Sequence, residues 1–170
     1  MSYDLYQFKP EAGVDPLETV ERLFFEESEE INPGPPRSEK EKRKRALADA
    51  LIKLNPRFEI FPFGFSEIAV MEGIPEAEAR VKYRHLELNG SEDGNGIQIT
   101  LYDDSTSITV PYWHSGEKAR ETITEIWSYL ALVEKEAGYV TFDPQIEKIL
   151  NLSSDLPTVI EAYEDVGDGT

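Results

Sequence analysis

Ile97-Gln98-Ile99-Thr100-Leu101-Tyr102, the turn Asp103-Asp104-Ser105, and Ile108-Thr109-Val110-Pro111-Tyr112 form the stretch whose reading decides the fold. In the first run, Ile97, Ile99 and Leu101 alternate with Gln98, Thr100 and Tyr102. In the second, Ile108, Val110 and Tyr112 alternate with Thr109 and Pro111. A period of two places one row of side chains on a buried face and the other toward water, so each run is expected to be a half-buried strand. Upstream, Val81 to Leu88 reads as a third strand with Val81, Tyr83 and His85 on one face, joined to Ile97 through the turn Asn89-Gly90-Ser91-Glu92-Asp93-Gly94-Asn95-Gly96. The three segments predict an antiparallel meander with one covered face.

A cover follows directly. Ser115 is placed to cap a long helix reaching about Ala137, with Ile123, Ile126, Trp127, Leu130 and Val133 as its apolar stripe and Gly138 as its stop. Tyr139 to Phe142 reads as a last short strand before Asp143-Pro144. Ile146, Ile149 and Leu150 suggest one or two helical turns, and Leu156 to Tyr163 a further helix.

The opposite end of the chain adds more. Ser2 to Phe8 reads as a covered strand in which Tyr3, Leu5 and Gln7 alternate with Asp4, Tyr6 and Phe8. Asp15-Pro16-Leu17-Glu18 opens a helix with its apolar face at Leu17, Val20 and Phe24. The acidic run Glu26-Glu27-Ser28-Glu29-Glu30 is expected to be its loose end. Asn32-Pro33-Gly34-Pro35-Pro36 cannot be helical. Ser38, with Glu41 as capping-box partner, opens a second helix whose stripe is Leu47, Ala50, Leu51 and Leu54 and which Asn55-Pro56 stops. Phe58, Ile60, Phe61, Phe63 and Phe65, broken by Pro62 and Gly64, suggest a short strand and an aromatic loop. The whole predicts one α+β domain over residues 1–163, a largely antiparallel sheet with helices mainly on one face, and an acidic, flexible tail at 164–170.

Charge narrows the function. The chain has 170 residues, 34 acidic and 17 basic side chains, a formal charge of -17 and no cysteine. Without cysteine there is no disulfide framework, thiolate nucleophile or Cys-based zinc site. No run approaches the roughly 20 apolar residues that span a bilayer. The N-terminus Met1-Ser2-Tyr3-Asp4-Leu5-Tyr6 lacks the basic and apolar regions of a secretory leader, so the expected compartment is the cytoplasm. The negative field repels nucleic acid and anionic lipid, and neither is an expected partner. That field is uneven. Residues 37–57 carry 8 basic and 3 acidic side chains, a net charge of +5 in a chain otherwise acidic throughout. This basic island is expected to be the polar face of an amphipathic helix lying near acidic segments of the same molecule.

Residue types suited to catalysis or binding are few. His85 and Glu87, two apart on a strand, share a face and could form an imidazole with an orienting carboxylate. Two ligands do not make a metal site, and no metal or cofactor is expected. His114 stands between Trp113 and Ser115 at a strand-to-helix junction, where free helix N–H groups and a flat indole could meet a ligand. The glycine-rich turn matches neither an EF-hand loop, a Walker A motif nor a dinucleotide fingerprint.

The opening Ser2-Tyr3-Asp4-Leu5-Tyr6 and the late Phe142-Asp143-Pro144-Gln145 together resemble a set of uncharacterised small bacterial proteins that pair such a first strand with a late strand ending in Asp-Pro-Gln. The resemblance implies a bacterial cytoplasmic α+β domain whose first and late strands are neighbours, and it carries no catalytic residue. Proteins of this size and acidity also resemble immunity- or antitoxin-type binders. The expected function is therefore a non-enzymatic acidic binding protein, of immunity or inhibitor type, for a basic protein. The alternatives are a small enzyme or ligand-binding domain, sited where the meander meets the 115–137 helix and using Trp113, His114, His85 and Glu87, and a structural or oligomeric accessory protein.

Overall fold

A row of four apolar side chains crosses the centre of the sheet: Leu88, Ile99, Ile108 and Leu5 stand directly opposite one another on four adjacent strands. The computed structural model describes residues 1–25, 34–91 and 94–168. Its strands are β1 (Ser2–Phe8), β2 (Glu59–Ile60), β3 (Leu86–Asn89), β4 (Gln98–Leu101), β5 (Ser105–Pro111), β6 (Val140–Asp143) and β7 (Lys148–Ile149). They form one antiparallel sheet in the order β2-β3-β4-β5-β1-β6-β7. The first strand thus inserts between β5 and β6, and it is the neighbour of the late strand, as the resemblance implies.

The helices are α1 (Pro16–Val20), which continues as a π-helical turn over Glu21–Phe25, α2 (Ser38–Leu54), α3 (Phe65–Glu72), α4 (Glu76–Lys82), α5 (Gly116–Ala137) and α6 (Leu156–Asp168). Helices α2, α5 and α6 cover one face of the sheet. Leu47, Leu51, Ile123, Ile126, Leu130, Val159 and Tyr163 meet Tyr3, Leu5, Ile99, Ile108 and Val110 there in one buried cluster. All five predicted stripe residues of α5 are buried, and Gly138 ends the helix in the left-handed conformation, where a side chain would strain the backbone. A smaller cluster of Phe8, Val20 and Phe142 lies apart from this core. The fold is the expected α+β domain with helices mainly on one face.

Several expectations are corrected. Asp15 caps α1 as predicted, accepting from the Leu17 N–H at 3.0 Å, but Leu17 and Leu23 are exposed and Val20 with Thr19 is what packs. The acidic run 26–30 lies outside the described residues. Arg37, not Ser38, occupies the N-cap of α2, and the buried stripe is Lys44, Leu47, Ala48 and Leu51, rotated away from Ala50 and Leu54. Phe65 opens a helix rather than lying in a loop. The stretch at 146–150 is a turn followed by β7, so Tyr139–Phe142 is not the last strand. Helix α6 runs past Tyr163 to Asp168, so residues 164–168 belong to it and not to a tail. Glu164 faces Arg120 of α5 at 3.8 Å.

The Asp-Pro-Gln element has a structural explanation. Pro144 has no N–H to offer the ladder, so backbone pairing of β6 with β1 stops before Asp4. The Gln145 side chain replaces it: its Oε1 accepts from the Asp4 N–H at 2.9 Å and its Nε2 donates to the Asp4 carbonyl at 2.8 Å. Asp143, fully buried, accepts from the Gln145 N–H at 2.8 Å, from Gln145 Nε2 at 2.6 Å and from the Tyr3 hydroxyl. The two sequence motifs at the chain's ends are one hydrogen-bonded joint.

Candidate functional site

The histidines lie at opposite ends of β4. Leu86 pairs with Leu101, which sets His85 beside Tyr102. Gln98 pairs with Thr109, which sets Asn95 near the His114 end. Asn95 and Tyr102 are seven residues apart along an extended segment, roughly 23 Å. Direct catalytic contacts span about 3 Å, so Trp113, His114, His85 and Glu87 do not form one site. The alternative of an enzyme or ligand site built from all four is therefore not assembled. A hollow does lie between the meander and α5, lined in part by Asn55, Phe58, Asn95, Lys118 and Glu125. At about 170 Å³ it is smaller than ordinary ligand pockets, and none of the four predicted residues lines it.

At the first end, α4 consumes the expected beginning of the strand. Glu76-Ala77-Glu78-Ala79-Arg80-Val81-Lys82 is rich in helix formers, Ala79 is buried, and Arg80 bonds Glu76 one turn back at 2.9 Å. His85 consequently precedes β3 and sits among rings. Its centroid is 5.1 Å from Phe63, edge to face, 5.4 Å from Tyr102 and 6.3 Å from Tyr83. Phe63 also contacts Phe61 at 5.1 Å, Tyr83 at 6.0 Å and Phe65 at 6.3 Å. Glu87 does not orient the imidazole. Its carboxylate accepts from the Gln98 side chain across the sheet.

Burial pushes the His85 pKa below its ordinary value. The negative charge of Glu87 opposes this and the positive charge of Lys44 adds to it. A histidine held neutral when folded binds a proton more readily when unfolded, so its contribution to stability is complete above about pH 6.5 and is lost as pH falls from there toward the folded pKa. Replacing His85 by glutamine removes that contribution. Between pH 7 and 5, urea midpoints of the parent should fall more steeply than those of H85Q; parallel curves would rule the effect out.

At the other end, His114 Nε2 lies 2.7 Å from the Asn95 carbonyl. The His114 N–H donates to the Tyr163 hydroxyl at 3.4 Å, and that hydroxyl donates to the Pro111 carbonyl at 2.5 Å. Ser115 is the N-cap residue of α5, but its side chain makes no capping bond. Trp113 remains 71% exposed. Its indole crosses Gly96, whose φ is +83°; a Cβ there would come within 2.9 Å of the Trp113 ring and 2.7 Å of Pro111. Only glycine permits this close approach.

The basic helix lies against acidic residues of its own chain, as expected, but one of its lysines is buried rather than solvated. Lys44 lies mid-helix, is 1% exposed, and donates to Asp103 Oδ1 at 2.7 Å and to the Arg84 carbonyl at 3.0 Å. It also faces Glu41 at 2.6 Å. Arg84 reaches the other oxygen of Asp103 at 2.7 Å. Lys40 and Arg43 hold Asp104 at 2.7 and 3.1 Å, and Arg43 also donates to the Asp103 carbonyl. Burial alone would raise the Asp103 pKa, but the hydrogen bonds and charges of Arg84 and Lys44 outweigh it and hold the carboxyl below the usual range. The β4–β5 turn is thus a clasp that takes up four cations.

Beside the clasp, two hollows meet at Arg84 and His85. One, about 410 Å³, is lined by Phe61, Phe63, Phe65, Tyr83, Arg45 and Arg80 among others. The second, about 520 Å³, is lined by Lys40, Lys82, Tyr102 and the clasp aspartates among others. The aromatic series expected as a short strand and loop divides: Phe58 is core, while Phe61, Phe63 and Phe65 line the hollow. The α3–α4 hairpin that supplies Phe65 and Arg80 escaped notice because its helices are only 8 and 7 residues long. Among the described residues, no group of three or more His, Asp or Glu is placed to hold a metal, and no helix is long and apolar enough to cross a membrane. No family model, curated protein or solved structure matches the chain.

Proposed function

We infer that the protein is a non-enzymatic binder of a basic protein, an immunity- or inhibitor-type function exercised in a bacterial cytoplasm. The observation that carries this reading is the clasp. Lys40, Arg43 and Lys44 of the basic island, together with Arg84 outside it, are committed to Asp103 and Asp104, so these side chains are not on offer to an anionic macromolecule. The remaining field of a chain at -17 favours a cationic partner and speeds its approach.

Trp113 supplies an anchor. It is a large exposed aromatic, packed close against Gly96, at the start of a helix whose outer surface carries Glu117 and Glu121 alongside Lys118 and Arg120. Tryptophan is enriched among the few residues that dominate binding energy. The test is affinity capture from a bacterial lysate, followed by kinetics with the purified partner. A basic protein should be retained at low salt. Its association rate should fall at least about tenfold by roughly 0.5 M salt. Trp113→Ala should weaken binding by about 2 kcal/mol, roughly thirtyfold. Recovery of no basic protein at low salt, or of one indifferent to both salt and W113A, refutes the reading.

A further inference from the structure

We propose that the hollow walled by Phe61, Phe63, Phe65, Tyr83 and His85, and rimmed by Arg45 and Arg80, binds a small planar anion: a flat ring carrying a phosphate or carboxylate. Three observations support this assignment. First, the hollow holds about 410 Å³, within the range of small-molecule sites. Its walls are π surfaces set at varied angles. Phe63 stands at 75° and 76° to Phe61 and His85, and at 35° and 36° to Phe65 and Tyr83. Rings so arranged offer both faces and edges to a flat guest.

Second, the rim sets the sign of the guest. An aromatic enclosure alone attracts a cation. Here the Arg80 guanidinium lies 4.8 Å above the Phe65 ring while paired with Glu76, Arg84 is held by Asp103, and Arg45 adds a third guanidinium with no carboxylate partner among the described residues. Glu41, the carboxylate of the lining, faces Lys44 at 2.6 Å. The uncompensated charge of the lining is therefore that of Arg45, which favours an anion over a cation. Guanidinium is also the side chain whose planar fork matches phosphate and carboxylate oxygens.

Third, Arg45 is available. It is exposed, and among the described residues no carboxylate lies within ion-pair distance of it, whereas Lys40, Arg43, Lys44 and Arg84 of the neighbouring clasp are all engaged.

The site is tested by NMR titration of the intact chain with three probes: adenosine monophosphate as ring plus phosphate, indole-3-acetate as ring plus carboxylate, and inorganic phosphate as anion without a ring. At least one ring-bearing anion should produce saturable shifts at Phe61, Phe63, Tyr83 and His85, and bind more tightly than phosphate. Which of the two does so distinguishes the phosphate from the carboxylate source. Arg45→Gln, at an exposed position, should keep the parent melting temperature and lose about tenfold in affinity, the size of one charge-assisted hydrogen bond. The proposal is overturned if neither ring-bearing anion perturbs those residues at millimolar concentration, if phosphate alone binds as well, or if R45Q binds like the parent.

Discussion

Replacing Asp103 by alanine is expected to destabilise the protein by about 3 kcal/mol, with unfolding measured in urea at neutral pH. The size follows from what the mutation leaves behind. Lys44 is 1% exposed and would keep its charge among the core residues of α2 with only Glu41 and one carbonyl for company. Arg84 would lose the second carboxylate oxygen. Removing one partner of a buried ion pair typically costs 3–5 kcal/mol, and the lower end applies because Asp103 retains 19% side-chain exposure. Lys44→Met should cost much less. The thioether chain fills the path of the lysine stem, and Asp103 keeps Arg84. Acid should mimic D103A. A carboxyl whose folded pKa is depressed stabilises the fold fully above about pH 3.8 and ceases to do so as pH falls through the lowered folded value.

Asp143→Ala is expected to cost about 2–4 kcal/mol. Four donors converge on this buried carboxylate: the Tyr3 hydroxyl, the Gln145 N–H and side-chain amide, and the Ile146 N–H at 3.4 Å. Alanine leaves donors in the interior without an acceptor and frees the Gln145 side chain that substitutes for ladder pairing with Asp4. Gln145→Ala, which removes the ladder substitute but leaves Asp143 its tyrosine and backbone partners, should cost about 1 kcal/mol. If the two variants prove equal, the joint is not organised by Asp143.

The sheet was legible where burial obeys a simple period. Ile97, Ile99 and Leu101 alternate without a break, and Ile99 and Leu101 pair in register with β3 and β5. The α5 stripe was legible for the same reason at a period of 3.6. Period failed where elements are short. Val81, Tyr83 and His85 alternate by accident at the end of α4, and two residues of β7 are too few to show a period. Lys44 was illegible for a different reason. A lysine is read as surface, and the partner that permits its burial is 59 residues away on a turn that only the folded topology brings beneath α2. The candidate site divided likewise. Trp113 and His114 could be placed at a junction from sequence, but their distance from His85 depends on the direction of β4. The aromatic hollow needed the α3–α4 hairpin to complete its wall.

The central claim is that buried Lys44, with Lys40 and Arg43 beside it, is neutralised by carboxylates of its own chain. A double-mutant cycle between Lys44→Met and Asp103→Ala tests it most directly, because the cycle isolates the interaction of the two side chains from the effect of removing either. The account predicts that K44M recovers a substantial part of the stability lost in D103A, since the stranded cation goes with it, giving a coupling energy of about 1.5–3 kcal/mol. Additive losses, with coupling below roughly 0.5 kcal/mol, would contradict it and leave the cations of the helix open to an anionic partner.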